Sequence, residues 1–188
     1  MDIVKTSLPG VLRIVPTRFA DDRGFFCETW NSRRMAEHGL QFDFVQDNHS
    51  FSADAGTVRG LHFQAPPHAQ AKLVRVARGA VLDVAVDIRR GSPTYGRWVA
   101  VELTADTGEQ LLIPRGFAHG FVTLQPRTEV LYKVDAFYNK ASEGALRFDD
   151  PDLAVDWGID PAQAVLSTKD AAAGSFAGFQ SPFQLEPA

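Results

Sequence analysis

The amino-acid sequence predicts an all-β fold in which antiparallel strands form a sandwich or a barrel. The clearest signal is the run VLDVAVDI at 81–88, where apolar residues alternate with two aspartates and an alanine. This period of two indicates a strand with one buried face. Other short apolar runs recur at a spacing of roughly ten residues, separated by Gly, Pro and Asp turns. Helical patterns are few.

The individual elements are assigned from these runs. Strands are predicted at 72–78, 81–88, 98–103, 111–113, 120–124 and 129–134. A short helix is predicted over 31–38, with Asn31 or Ser32 as its N-cap and Gly39 as its stop signal. A turn of helix is expected within 167–173.

The chain of 188 residues is expected to form a single domain, because no repeat, low-complexity tract or linker divides it. The domain therefore spans 1–188. Its last stretch, 174–188, is rich in Gly, Pro and Gln and is expected to lie along the surface as a tail.

Composition excludes several classes of function. The 19 Lys and Arg residues against 23 acidic residues give a net charge of −4, which disfavours general nucleic-acid binding. Any anionic ligand must therefore be held by a local cluster of cations. No apolar stretch reaches the length of a membrane span, and the first residues lack the features of a signal peptide. A single cysteine, Cys27, excludes an intramolecular disulfide, so a cytoplasmic location is expected.

Two histidine-containing segments resemble the motifs of cupin barrels. The string PRGFAHG at 114–120 reproduces the P-x-G-x-x-H core of the second motif. The first motif keeps its Gly and first His at 56–62, but Gln64 occupies the second histidine position and Lys72 stands at the interval expected for a glutamate. An ammonium group there would repel a cation. The resemblance implies a cupin-like jelly-roll barrel without a metal site.

Longer strings resemble the dTDP-4-dehydrorhamnose 3,5-epimerase family. They are DRGFFCE at 22–28, FVQDNHS at 44–50, RGLHFQ at 59–64, KLVRV at 72–76, GFAHGF at 116–121, DDP at 149–151 and STKD at 167–170. They occur in unbroken order over most of the chain. One departure is Ala71, beside Lys72, where the family usually has glycine.

The resemblance implies an isomerase that acts on a dTDP-linked 4-keto-6-deoxyhexose and inverts C3 and C5. Protons at these carbons are acidic because the C4 carbonyl delocalises the resulting carbanion as an enolate. Histidine suits the base, since its pKa of about 6.5 lies near the working pH. His62 is expected to be this base, oriented by Asp170, with Tyr132 as the opposing acid and Lys72 as the enolate-stabilising group. The substrate carries its own electron sink, so no cofactor is expected.

The resemblance also implies binding roles for other residues. Diphosphate contacts are expected from Arg23, Arg59 and Lys169, polar nucleotide contacts from Glu28, Gln46 and Asn48, and base stacking from Phe19, Phe26 or Tyr138. His119 is expected to line the sugar pocket, Glu143 to make a contact at its rim and Lys72 to bind the substrate. In the family, the segment that carries Arg23 and Phe26 reaches into the neighbouring subunit. A homodimer with shared sites is therefore expected, with no nucleic-acid or membrane partner.

Alternative functions remain open from the sequence alone. A relative that epimerises C3 only, or C5 only, on another deoxysugar nucleotide would share His62, Asp170 and Tyr132. A second alternative is a non-catalytic cupin that binds a sugar nucleotide or serves as an interaction module. A metal-dependent cupin is a third and weaker alternative.

Overall fold

Two β-sheets lie face to face and form the body of the protein in the computed structural model, which describes residues 1–185. Apolar side chains of both sheets meet between them, among them Val74 and Val130 from one sheet and Ala85 and Phe121 from the other. This arrangement confirms the predicted all-β fold of antiparallel strands.

The two large sheets contain six and five strands. The strands are β1 (Asp2–Lys5), β2 (Leu12–Val15), β3 (Arg18–Asp21), β4 (Gly24–Cys27), β5 (Gln46–Ser52), β6 (Val58–Gln64), β7 (Lys72–Arg78), β8 (Ala80–Asp87), β9 (Arg89–Arg90), β10 (Trp98–Thr104), β11 (Gln110–Ile113), β12 (Phe117–Thr123), β13 (Thr128–Val134), β14 (Glu143–Ala145) and β15 (Phe183–Gln184). Their orders are β1-β2-β11-β7-β13-β5 and β10-β8-β12-β6-β14. β3 and β4 form a separate hairpin, and β15 pairs with β9.

The predicted strands are confirmed as β7, β8 and β10–β13, with small differences at their ends. The strands before residue 65 were not assigned from the sequence. β5 shows why, because it reads QDNHSFS and its inward side chains are Gln46, Asn48 and Ser50. A strand whose inner face is polar lacks the apolar alternation on which the prediction depends.

The expected single buried face of the 81–88 strand is wrong. Val84 and Val86 pack on the outer side of the five-stranded sheet, as the alternation indicates. Asp83 and Asp87 on the opposite face are also completely buried. Each has a polar partner, since Asp83 contacts His119 and Asp87 accepts hydrogen bonds from the Arg89 side chain. Buried carboxylates require such partners.

The segment that follows β14 covers the outer side of the five-stranded sheet. Trp157 and Phe148 pack there against β6, β8 and β12. The predicted surface tail from residue 174 is wrong over part of its length, because Ser181 and Phe183 are buried. The Ser181 hydroxyl donates to the Ile88 carbonyl oxygen. The last three positions, 186–188, lie outside the described residues.

Both predicted helices are present and short. α1 (Ser32–Glu37) is capped by Asn31, whose Oδ1 accepts the Arg34 N–H at 3.1 Å, and Gly39 follows it with a φ of +75°. α2 (Thr168–Ala171) is capped by Ser167. Two 3-10 turns lie at Lys140–Ser142 and Pro161–Gln163. No helix in residues 1–185 is long and apolar enough to cross a membrane.

Two glycines let β6 and β12 approach closely beside the paired residues His62 and His119. Gly60 has a φ of +123°, and a Cβ on it would lie 2.6 Å from the Gly120 Cα. A Cβ on Gly120 would lie 2.8 Å from the Arg59 carbonyl oxygen. The register between the strands shifts at this point. The close approach therefore sets how the two histidine-bearing strands are aligned.

We expect Gly120→Ala to destabilise the protein by about 1–3 kcal/mol, because its methyl group must displace backbone atoms of β6. The free energy of unfolding in urea measures the effect. Gly178→Ala is the control, since a Cβ there meets nothing within 4 Å. Equal stability of the two variants would contradict this account of the strand contact.

Candidate active site

Two adjoining cavities open in the space between the sheets, with volumes of about 250 and 150 Å³. His62, Lys72 and Tyr132 line both of them. These side chains come from β6, β7 and β13, so three strands bring the predicted base, enolate-stabilising group and acid into one pocket.

His62 and Asp170 are in direct contact, with 2.5 Å between Nε2 and Oδ1. Asp170 lies in α2 and is buried, and its other carboxylate oxygen accepts the Ser167 hydroxyl at 2.8 Å. Burial raises the pKa of Asp170, but the hydrogen bonds from His62 and Ser167 outweigh it and hold the pKa below its ordinary value. The ionised carboxylate accepts the Nε2 proton, which leaves the lone pair on Nδ1 free to act as a base.

Lys72 is buried at the start of β7, where its Nζ donates to the His62 carbonyl oxygen at 3.5 Å. Burial lowers the pKa of Lys72 to about 8, against the opposing charges of Asp83 and Glu143. The ammonium form therefore still predominates at neutral pH. A buried cation that lines the pocket suits the stabilisation of a developing oxyanion. Its neighbour Ala71 is also buried and donates its N–H to Asp135 at 2.7 Å.

Asp83 is the residue in this region that sequence reasoning missed. It is completely buried, and its Oδ1 lies 2.6 Å from His119 Nε2. Burial lowers the pKa of His119, although the carboxylate of Asp83 opposes that shift. The neutral imidazole therefore donates Nε2–H to Asp83. The P-x-G-x-x-H motif pointed to His119. In the alternating sequence of the 81–88 strand, Asp83 has the same pattern as a residue that faces solvent.

Tyr132 stands between polar residues of the neighbouring strand and Arg59. Its Cα partner in β5 is Asn48, which points into the same interior. Burial raises the pKa of Tyr132, and the charge of Arg59 opposes the rise. The phenol is therefore protonated at neutral pH and available as a proton donor. The Arg59 guanidinium is held by Ser52 Oγ and the Phe51 carbonyl oxygen, at 3.2 and 3.0 Å from its Nε and Nη2.

The rim of the pocket carries Tyr138, Glu143 and Lys169. Glu143 pairs with the Lys169 ammonium and accepts the Tyr138 hydroxyl at 3.2 Å. The hydrogen bond from Lys169 lowers the pKa of Glu143. Gln46 lies beside them and donates to Asn48 Oδ1 at 2.8 Å. These predicted binding residues are thus brought together with His62.

The structure does not bring Arg23, Phe26 and Glu28 to this pocket. Arg23 lies in the β3–β4 hairpin and pairs with Asp21, and Glu28 pairs with Arg34. Phe26 is 68% exposed, and Phe19 on the paired strand is exposed as well. The hairpin therefore holds Arg23 and the stacking candidates Phe19 and Phe26 away from the pocket of its own chain, and Glu28, which follows β4, lies away from it as well.

Gln64, at the cupin position of a metal-binding histidine, is fully engaged in hydrogen bonds to neighbouring backbone groups. Within residues 1–185, no three His, Cys, Asp or Glu side chains are grouped as metal ligands.

Comparison with known proteins identifies the family of this chain. Residues 5–178 match the family model described as dTDP-4-dehydrorhamnose 3,5-epimerase. The enzyme of that name from Salmonella typhimurium is 49% identical over 92% of this chain and 94% of its own length. The one from Pseudomonas aeruginosa is 47% identical over 94% and 97%.

Solved structures show the same fold. An epimerase from Legionella pneumophila in complex with dTDP-4-keto-L-rhamnose has a TM-score of 0.93 and 42% identity, covering 100% of this chain and 99% of its own. A dTDP-4-dehydrorhamnose 3,5-epimerase from Bacillus anthracis with TDP and PPi bound has a TM-score of 0.90 and 44% identity, covering 93% and 99%.

The fold and the pocket define an isomerase built on a cupin-like jelly-roll barrel. The chain belongs to the dTDP-4-dehydrorhamnose 3,5-epimerase family. The resemblance found in the sequence is therefore confirmed over nearly the whole chain.

Burial of Lys72 predicts a pH dependence of stability. Between its pKa of about 8 in the folded protein and 10.5 in the unfolded chain, the unfolded chain holds more protons. The free energy of unfolding therefore rises with pH across this window, by on the order of 3 kcal/mol. Lys72→Met should lack this rise in urea unfolding measured on both sides of the window.

The matched control is Lys5→Met, which removes an exposed lysine and should keep the wild-type pH profile. Parallel profiles for wild type and Lys72→Met would contradict the burial of a titrating ammonium.

Proposed function

We propose that this protein inverts C3 and C5 of dTDP-4-dehydro-6-deoxy-D-glucose and so forms dTDP-4-dehydro-L-rhamnose. The single observation that carries the proposal is that the His62–Asp170 pair, Tyr132 and Lys72 line one pocket. The Legionella pneumophila structure in complex with dTDP-4-keto-L-rhamnose supports this choice of sugar nucleotide.

Proton removal is the role of His62. Its Nδ1 takes the proton from the carbon beside the C4 carbonyl, and Asp170 stabilises the imidazolium that results. A positioned base of this kind contributes about 10²–10⁴-fold to the rate. The electron pair left on carbon passes into the C4 carbonyl, so the substrate itself supplies the electron sink and no cofactor is required.

Lys72 stabilises the enolate. The ammonium is held in the interior before the reaction begins, so little reorganisation accompanies the appearance of charge on the C4 oxygen. Removal of a comparable donor costs about 10²–10³-fold in kcat. His119, fixed by Asp83, lies in the same cavity and serves as a sugar contact.

Tyr132 returns a proton from the opposite face. Its raised pKa keeps the hydroxyl protonated until carbon becomes basic. Inversion requires that the proton be delivered to a different face from the one it left. Solvent then takes the proton from the His62 imidazolium and returns one to the Tyr132 phenolate. The same cycle of removal and delivery then acts at the other carbon that flanks the ketone.

The nucleotide is held by cations and aromatic rings at the rim. Arg59 and Lys169 line the cavity that contains His62, and their charges suit the diphosphate. Gln46, Asn48 and Glu143 line the adjoining cavity with Tyr138. In this proposal the first three add polar contacts and Tyr138 stacks on the base.

A homodimer supplies the remaining contacts in this proposal. Arg23 and Phe26 lie in the β3–β4 hairpin and Glu28 directly follows it, away from the pocket of their own chain, so they reach the pocket of a second subunit. Each chain then acts as one domain that donates a hairpin to its partner. The proposed location is the cytoplasm.

Incubation with the substrate in D₂O tests the function. The wild type should incorporate deuterium at both C3 and C5, as followed by NMR, and His62→Ala should lower exchange at both carbons by about 10²–10⁴-fold. Binding of dTDP should change little in the variant. His38→Ala is the control, because His38 is exposed at the end of α1.

Exchange at C3 alone in the wild type would favour the C3-only alternative. A 3'-monoepimerase from Streptomyces bikiniensis, in complex with dTDP-quinovose, is 32% identical with a TM-score of 0.86. Wild-type exchange in His62→Ala would exclude His62 as the base.

Tyr132→Phe separates the acid from the base. The change keeps the ring and its packing but removes the hydroxyl, so His62 returns deuterium to the face that it deprotonated. Exchange at C3 should continue with retained configuration, while inverted product falls by about 10²–10⁴-fold. NMR of the C3 configuration and deuterium content measures both quantities.

Normal inversion at both carbons would show that Tyr132 is only part of the barrel wall. Loss of exchange together with inversion would assign its hydroxyl to substrate positioning instead.

A further inference from the structure

The segment 136–139, between β13 and the 3-10 turn at Lys140–Ser142, carries Tyr138 at the rim of the pocket. It has no regular secondary structure, and the Phe137 and Tyr138 side chains are 68% and 55% exposed. In such a loop the backbone groups ordinarily bond to water or to each other. Here glutamine side chains bond to every one of the four residues.

Three glutamines supply these bonds. Gln70 Nε2 donates to the Ala136 carbonyl oxygen at 2.8 Å, and Gln46 Oε1 accepts the Tyr138 N–H at 3.1 Å. Gln64 makes two of the bonds, since its Nε2 donates to the Phe137 carbonyl oxygen at 3.3 Å and its Oε1 accepts the Asn139 N–H at 2.6 Å.

Gln64 is the centre of this arrangement. It is 4% exposed, and its Nε2 also donates to the His68 carbonyl oxygen at 2.7 Å. Both amide hydrogens and the amide oxygen are therefore used. A carboxylate of the same shape would face the Phe137 and His68 carbonyl oxygens without a proton to donate. An imidazole cannot donate twice and accept once in its neutral form.

We infer that Gln64 and Gln70 are positioning residues that fix the segment 136–139 and so hold Tyr138 ready for the nucleobase. The inference rests on the proposed function, in which Tyr138 contacts the nucleotide. The position used for a metal-binding histidine in cupins thus serves here to order a recognition loop. Because the loop is ordered before binding, the free energy of nucleotide binding is not reduced by the entropy lost in ordering it.

Binding of dTDP by calorimetry, together with steady-state epimerisation, tests the inference. Gln64→Glu should weaken dTDP binding roughly fivefold to twentyfold, the range for loss of hydrogen bonds at a buried amide. KM for the sugar nucleotide should rise similarly, while C3 exchange at saturating substrate changes less than about twofold. Gln70→Met should act in the same direction and gives a second reading if Gln64→Glu folds poorly.

A double-mutant cycle shows whether the effect passes through Tyr138. Tyr138→Ala should itself weaken dTDP binding, and adding Gln64→Glu to it should cause little further loss. The matched control is Thr123→Val, which removes a buried hydroxyl that holds the Asp54 carbonyl oxygen outside both cavities. It should lower thermal stability without weakening dTDP binding.

Two results would overturn the inference. Wild-type dTDP affinity in both Gln64→Glu and Gln70→Met, with weakened binding in Tyr138→Ala, would show that the glutamines do not act on recognition. Unchanged binding in Tyr138→Ala would remove the contact through which they are inferred to act. Both results concern dTDP binding. The epimerase function is tested separately, by deuterium exchange at C3 and C5 in the wild type.

Discussion

The hydrogen bond between His62 and Asp170 joins residues 108 positions apart in the chain, the longest separation among the hydrogen bonds described at the pocket. It joins an inner strand of a sheet to a helix of four residues that lies between two backbone bridges, Thr57 with Val165 and Leu146 with Gly174. α2 lies at the pocket because the segment after β14 covers the outer side of the five-stranded sheet with Phe148, Leu153 and Trp157. Hydrophobic burial on one side of the sheet therefore positions a carboxylate on the other.

The charged groups in the interior are stabilised by polar partners. Asp83 is stabilised by His119 and by the charge of Lys72, and Asp170 by His62 and Ser167. Lys72 donates to the His62 carbonyl oxygen at 3.5 Å, and burial lowers its pKa to about 8. This buried cation is therefore available to a new negative charge.

The sequence was sufficient for the central strands and the helix caps. In strands such as β8 and β13, apolar residues indicate a buried face, and Asn31 and Gly39 mark the two ends of α1. The residues proposed to react came from family resemblance rather than from periodicity, and the structure brings them to one pocket.

Inference from polarity to exposure failed at several positions. Asp83 and Asp87 are polar and buried, and β5 is a polar strand that faces the interior. Ser181 and Phe183 are buried although they follow a stretch of turn-forming residues. Burial of such residues depends on partners distant in the chain, which local patterns do not contain.

The distance along the chain between the two members of the dyad has a consequence for synthesis. His62 leaves the ribosome early, with β5 and β6, whereas Asp170 follows after the strands of both large sheets have been made. The carboxylate that fixes the tautomer of the imidazole is therefore added after every strand of the two large sheets, and the contact forms only when the covering segment that carries α2 docks.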